Sequence, residues 1–126
     1  MRVLLDTQAL LWWLTDSERL GAKARRIFMA EDPVVSPVLL WEIAIKVNLG
    51  KLDANVSDIC ASITEEGFKR LGFTDRHMIA FADLELHHRD PFDRMLIAQS
   101  QVEAIPLLSS DSKMKLYDVE LIDSGD

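Results

Sequence analysis

The chain has 126 residues, 48% of them hydrophobic, and 14 lysines and arginines against 21 aspartates and glutamates, for a net charge of −7. That length suits one domain with one core, spanning 1–126, and folding buries enough surface that no staple is required. The acidic balance argues against a sequence-independent nucleic-acid binder with a basic face, but not against an enzyme that gathers carboxylates to hold cations.

The first stretch, Arg2-Val3-Leu4-Leu5-Asp6-Thr7, is a short unalternating apolar run that ends in a carboxylate. Such a run reads as a strand buried on both faces, as in a parallel sheet. Asp6 then either caps the next helix or stands at the carboxyl edge of the sheet, where ligands bind. The segment Gln8 to Leu14 reads as a helix buried on most sides. Its apolar run from Ala9 is too short to span a membrane, and Asp6 interrupts what would be a signal core, so a cytoplasmic protein is expected. Trp12 and Trp13 point in different directions on any helix, and one of them can serve a surface or an interface.

A helix over about Gly21 to Ala30 carries Leu20, Ala24, Ile27 and Phe28 on one stripe, with Lys23, Arg25 and Arg26 on a solvated face. Glu31-Asp32-Pro33 ends it, and Val34-Val35 is a short strand. Ser36 and Pro37 are an N-cap and a first-turn proline for a helix over Val38 to Leu49, closed by Gly50. Glu42 lies inside this mostly apolar helix. Facing inward it needs a partner or a metal; facing outward it pairs with Lys46 at i+4.

Asp53 to Gly67 reads as another helix, in which Cys60, the only cysteine, is a small buried apolar residue. With one cysteine no internal disulfide forms. Phe68 to Phe73 is an edge strand. Thr74 caps a helix over Asp75 to Leu86, with Met78, Ile79, Ala82 and Leu86 inward. His87-His88-Arg89-Asp90-Pro91 is a polar loop whose histidines are expected to face solvent rather than bind zinc, since no third histidine lies at a helpful spacing. Asp90 then caps a helix that Pro91 opens, and Asp93 precedes a nearly continuous apolar run that presses it inward. Ile105 to Leu108 is a second buried strand running into Ser109-Ser110-Asp111. A helical turn over Lys113 to Tyr117, a last strand over Val119 to Ile122 and a frayed end over Ser124 to Asp126 complete the chain.

Alternation of this kind means a parallel sheet with helices on both faces. Asp6 and Asp111 each follow an apolar strand, and Glu42 and Asp93 each lie near the start of a helix. All four can converge on the carboxyl edge of the sheet. Like charges repel at close range, so four converging acids share protons or hold cations, and an all-oxygen set suits Mg²⁺ or Mn²⁺ better than zinc. A pair of such ions clamps the attacking and leaving oxygens in phosphodiester hydrolysis. A phosphatase that uses Asp6 as nucleophile would want a second acid two residues on, where Gln8 stands, and a receiver domain would want an acidic pair before a mid-chain strand-end aspartate.

Four pieces of the chain resemble the PIN-domain family, and within it the VapC-type toxins of bacterial type II toxin–antitoxin modules. They are Leu4-Leu5-Asp6-Thr7-Gln8-Ala9-Leu10-Leu11-Trp12-Trp13, Leu40-Trp41-Glu42-Ile43-Ala44-Ile45-Lys46, Arg89-Asp90-Pro91-Phe92-Asp93-Arg94-Met95-Leu96-Ile97-Ala98-Gln99 and Leu107-Leu108-Ser109-Ser110-Asp111, in family order across nearly the whole chain. The resemblance implies a three-layer α/β/α sandwich around a mostly parallel sheet of four to five strands. It implies a Mg²⁺- or Mn²⁺-dependent endoribonuclease that hydrolyses RNA with metal-activated water. Carried over residue by residue, the catalytic and metal-binding set is Asp6, Glu42, Asp93 and Asp111, with Thr7 and Ser109 orienting a ligand or water and Asp90 as a helix cap. It further implies a cognate antitoxin whose basic side chain enters the carboxylate pocket, and a homodimer formed through apolar helices near Trp12 or Trp13. The competing expectation is a non-catalytic interaction module that keeps the fold without the activity.

Overall fold

The computed structural model describes residues 1–126. In chain order it holds β1 (Arg2–Leu5), α1 (Thr7–Leu14), α2 (Ala22–Ala30), β2 (Asp32–Val35), α3 (Pro37–Asn48), α4 (Val56–Glu65), β3 (Lys69–Arg70), α5 (Asp75–Ala82), α6 (Pro91–Glu103), β4 (Leu107–Ser109), a 3₁₀ turn over Ser112–Leu116 and β5 (Leu121–Asp123). The five strands form one sheet in the order β3-β2-β1-β4-β5, and every pairing is parallel.

Successive residues of a strand point to opposite faces. Val3, Leu4 and Leu5 are all fully buried, as are Leu107 and Leu108, so both faces of the central strands are covered by helices. This is the three-layer α/β/α arrangement, and it explains why these strands read as continuous apolar runs. From β1 the chain moves outward to β2 and β3, then crosses back to lay β4 on the other side of β1. Strands β1 and β4 therefore flank the point where the order reverses, the place where a crevice opens at the carboxyl edge of an open sheet. The amide of Asp6 donates to the carbonyl of Leu108 at 3.1 Å, so the two strand ends that carry Asp6 and Asp111 are held side by side.

Four sequence expectations are corrected. Helix α5 ends at Ala82, and Met78, Ile79 and Leu86 are 48%, 63% and 69% exposed instead of facing inward. Its buried contact is His77, whose ring bonds Glu103 at 3.0 Å and so satisfies a polar group that periodicity alone assigns to the surface. The end of the chain is not frayed. Ser124 is fully buried, its carbonyl accepts from the Gly21 amide, and the Asp126 carbonyl accepts from Lys23 at 2.9 Å, closing the open amides at the start of α2. Cys60 is half-buried rather than buried. Helix α4 also begins later than expected, at Val56, capped by Asn55. No helix is long and apolar enough to cross a membrane.

Candidate metal centre

A cavity of about 490 Å³ opens at the carboxyl edge of the sheet and is lined by Asp6, Glu42, Asp93 and Asp111, with Asp90, Lys46 and Lys51 at its walls. Each acid arrives by a different local device. Asp6 is the N-cap of α1, and its Oδ1 accepts from the Ala9 amide at 2.7 Å. Capping and placement at the strand end, alternatives in the sequence, are one arrangement. Glu42 faces inward from α3, 7% exposed, and is also paired. Thr7 donates to its Oε1 at 2.6 Å and Lys46 to its Oε2 at 2.8 Å. Asp90 caps α6 by accepting from Phe92 and Asp93, which sets Asp93 in the first turn, where the helix dipole favours negative charge. Asp111 caps the 3₁₀ turn through Lys113, and the Ser109 hydroxyl accepts from its amide at 3.0 Å.

The charge state follows from this crowding. Burial pushes the Asp6 carboxyl from 3.8 up to about 6, against the pull of the Ser109 hydroxyl and the Ala9 amide, while the Glu42 and Asp111 charges push it further. Burial likewise lifts Asp93 from 3.8 to about 7; the Asp90 charge adds to this and His88 opposes it. Glu42 holds the Lys46 ammonium above its ordinary value, with burial acting the other way.

One residue enters the site against expectation. His88 is not solvent-facing: its side chain is 10% exposed, and Nε2 lies 2.9 Å from Asp93 Oδ2 and 3.0 Å from Asp111 Oδ2. The ligand atoms of His88, Asp93 and Asp111 all lie within 4.8 Å of one another; Asp6 and Glu42 stand outside this triplet. The cavity thus has two halves, one where Glu42 is neutralised by Lys46, and one where two carboxylates close on an imidazole.

The family model of the PIN domain matches residues 3–120. The chain belongs to the PIN domain family. No curated protein sequence matches this PIN domain, but solved structures share its fold over nearly the full length. VapBC2 from Rickettsia felis, bound to a DNA fragment from its promoter, gives a TM-score of 0.76 at 12% identity, covering 97% of this chain and 98% of that one. A toxin–antitoxin complex from Klebsiella pneumoniae gives 0.67 at 12% identity, covering 97% of each chain. FitAcB from Neisseria gonorrhoeae gives 0.69 at 14% identity, again covering 97% of each.

The donor set of this PIN domain fits a divalent cation. Five acids at one cavity against two lysines leave an excess of negative charge; burial first, and this repulsion second, make Asp6 and Asp93 hold their protons up to about pH 6 and about pH 7. A cation removes the repulsion that favours those protons. Sequence reasoning missed His88, because its inward turn depends on the Tyr117 hydroxyl, 29 residues further on, which accepts from the His88 amide.

Proposed function

We propose that this PIN domain is the toxin of a toxin–antitoxin pair and acts as a Mg²⁺- or Mn²⁺-dependent endoribonuclease. The observation that carries the reading is the meeting of Asp6, Glu42, Asp93 and Asp111, from four separate parts of the chain, in one cavity at the switch point of the sheet. Asp93 and Asp111 would hold the ion most directly, with Asp6 facing them from the end of β1. Bound there, a divalent cation supplies charge stabilisation at the scissile phosphate and activation of water as nucleophile. Thr7 and Lys46 hold the Glu42 carboxylate in place from its two oxygens. Lys46 and Lys51 are the lysines on the wall, so they offer the RNA phosphates their attraction in an otherwise acidic cavity.

The partner reading rests on the same cavity. An antitoxin arginine entering it would meet paired carboxylates suited to a guanidinium and would compete with the cation. The similar fold of the toxin–antitoxin complex from Klebsiella pneumoniae supports this assignment. A homodimer is proposed as well, through the exposed apolar residues of α3 and α5.

Cleavage of a total RNA pool by antitoxin-free protein tests the activity. Discrete fragments are expected with Mn²⁺ and none with chelator, and Asp6→Asn or Asp93→Asn should slow cleavage about 100-fold or more. Asp93→Asn cutting at the parental rate would overturn the assignment. A folded protein that neither cuts RNA nor binds Mn²⁺ by calorimetry is the non-catalytic module instead.

A further inference from the structure

We propose that His88 is a ligand of the metal centre, so that the centre is a mixed His/Asp/Asp site and prefers Mn²⁺ to Mg²⁺. This rests on the reading of the cavity as a metal centre, but not on RNA being its substrate.

The geometry is that of converging donors. Nε2 stands 2.9 and 3.0 Å from two oxygens that belong to different acids on different elements. Neighbouring ligands of an octahedral ion with bonds of about 2.1 Å stand about 3 Å apart, the same spacing. The point between Nε2 and these two oxygens is where an ion would meet all three donors. The ring's other nitrogen is only weakly engaged: the Asp90 amide donates toward Nδ1 at 3.4 Å, longer than an ordinary hydrogen bond.

The ring is also built in. The hydroxyl oxygen of Tyr117, a buried residue beyond β4, accepts from the amides of both His87 and His88, at 3.0 and 2.9 Å. The His87 ring packs edge-on against Tyr117, with centroids 5.1 Å apart. These contacts hold the loop backbone so that His88 turns inward while His87 stays at the surface. A solvated loop histidine needs no such anchor. Imidazole nitrogen suits transition metals, whereas Mg²⁺ prefers oxygen donors and water. The nitrogen therefore shifts the preference that an all-oxygen set would have.

Calorimetric titration of chelator-treated full-length protein with Mn²⁺ and with Mg²⁺ tests this, together with spin-echo spectroscopy of bound Mn²⁺ for a directly coordinated nitrogen. The wild type should bind Mn²⁺ more tightly than Mg²⁺ and show the nitrogen coupling. His88→Ala should weaken Mn²⁺ about tenfold or more, change Mg²⁺ far less and lose the coupling. His88→Gln keeps a hydrogen-bond donor near the two acids but not the imidazole nitrogen, and should behave like the alanine variant. Mn²⁺ affinity that is unchanged or tighter in His88→Ala, or restored by His88→Gln, would overturn the proposal and leave His88 as a hydrogen-bond donor between the acids. Thermal melts of both variants check the fold. RNA cleavage is scored separately: nitrogen coupling without cleavage sinks the nuclease reading alone, and cleavage without coupling sinks the ligand assignment alone.

Discussion

Asp6 is a buried carboxyl and Asp93 a half-buried one, and loss of solvent raises both above 3.8, to about 6 and about 7. The folded protein therefore binds more protons than the unfolded chain between pH 3.8 and those values. The stability these groups contribute is full below 3.8 and is lost as pH rises through 6 for Asp6 and 7 for Asp93. For Asp6 the loss between pH 5 and pH 8 is about 1–2 kcal/mol. Chelator-treated protein should accordingly melt lower at pH 8 than at pH 5, and Asp6→Asn should flatten the difference. Added Mn²⁺ should raise the melting temperature more at pH 8, because ligands bind metal when deprotonated. A melting temperature that climbs steadily from pH 5 to pH 8 in chelator would contradict the burial argument. At this scale the sequence was legible for the convergence of the four acids on one cavity, since Asp6 and Asp111 follow strands, Asp93 opens a helix and Glu42 lies on the apolar helix after β2, each with a local cap or pairing to place it. It was not legible for His88, whose position depends on Tyr117, 29 residues further on. Nor did it separate the two meanings of Glu42, which is inward and paired at once because Lys46 reaches it along the same face of α3.

The elements that failed expectation did so where two of them meet. Helix α5 carries apolar residues on more than one arc, and the arc that turns to α6 is chosen by contacts the local pattern does not contain: His77 with Glu103, and Phe81 under the Arg94 guanidinium at 4.9 Å. Arg25, expected on a solvated face, instead ties down the α1–α2 connection by bonding Asp16 at 2.8 Å and the Ser17 carbonyl at 2.6 Å. That connection includes Asp16 at φ +50°, a left-handed conformation that aspartate tolerates better than most residues. The last residues of the chain dock on the start of α2 because Gly21 leaves room. A Cβ on Gly21 would lie 2.0 Å from the Asp126 backbone carbon. Gly21→Ala should therefore expel the terminal residues and cost about 1–3 kcal/mol in urea unfolding. Deleting residues 124–126 should destabilise the parent but abolish the further cost of the alanine. A full alanine penalty in the truncated protein would place the cause in the backbone at Gly21 rather than in the docked end.

For the whole molecule, the parallel sheet was legible because β1 and β4 are buried on both faces and announce it as unbroken apolar runs; the strand order, with its reversal between β1 and β4, came only from the structure. What one chain's sequence does not reveal is which apolar surface is left over. Helices α3 and α5 and the segment leading into α5 leave Trp41 60%, Phe73 41%, Met78 48% and Ile79 63% exposed. Around Trp41, Phe73, Met78 and Phe92 lies an apolar cavity of about 220 Å³. Trp12 and Trp13, by contrast, are half-buried against the core, with Trp13 stacked on Phe28 at 4.7 Å. The proposed homodimer is thus expected at the Trp41 face rather than at Trp12 or Trp13. Contiguous apolar surface of this kind favours association, against the repulsion between two chains of net charge −7. Light scattering should give about twice the 14.3 kDa chain mass at micromolar concentration. Trp41→Glu and Ile79→Glu should each return it to the monomer by burying a charge in the interface, whereas Trp12→Glu would report on folding, through loss of melting temperature. Trp41 precedes Glu42 on α3, so an interface there also braces the helix that carries one of the four acids. If the Trp41 face is the interface, the monomeric variants should lose RNA cleavage in proportion to their loss of dimer. A parental chain that is monomeric at these concentrations would remove the dimer and leave that face to another partner.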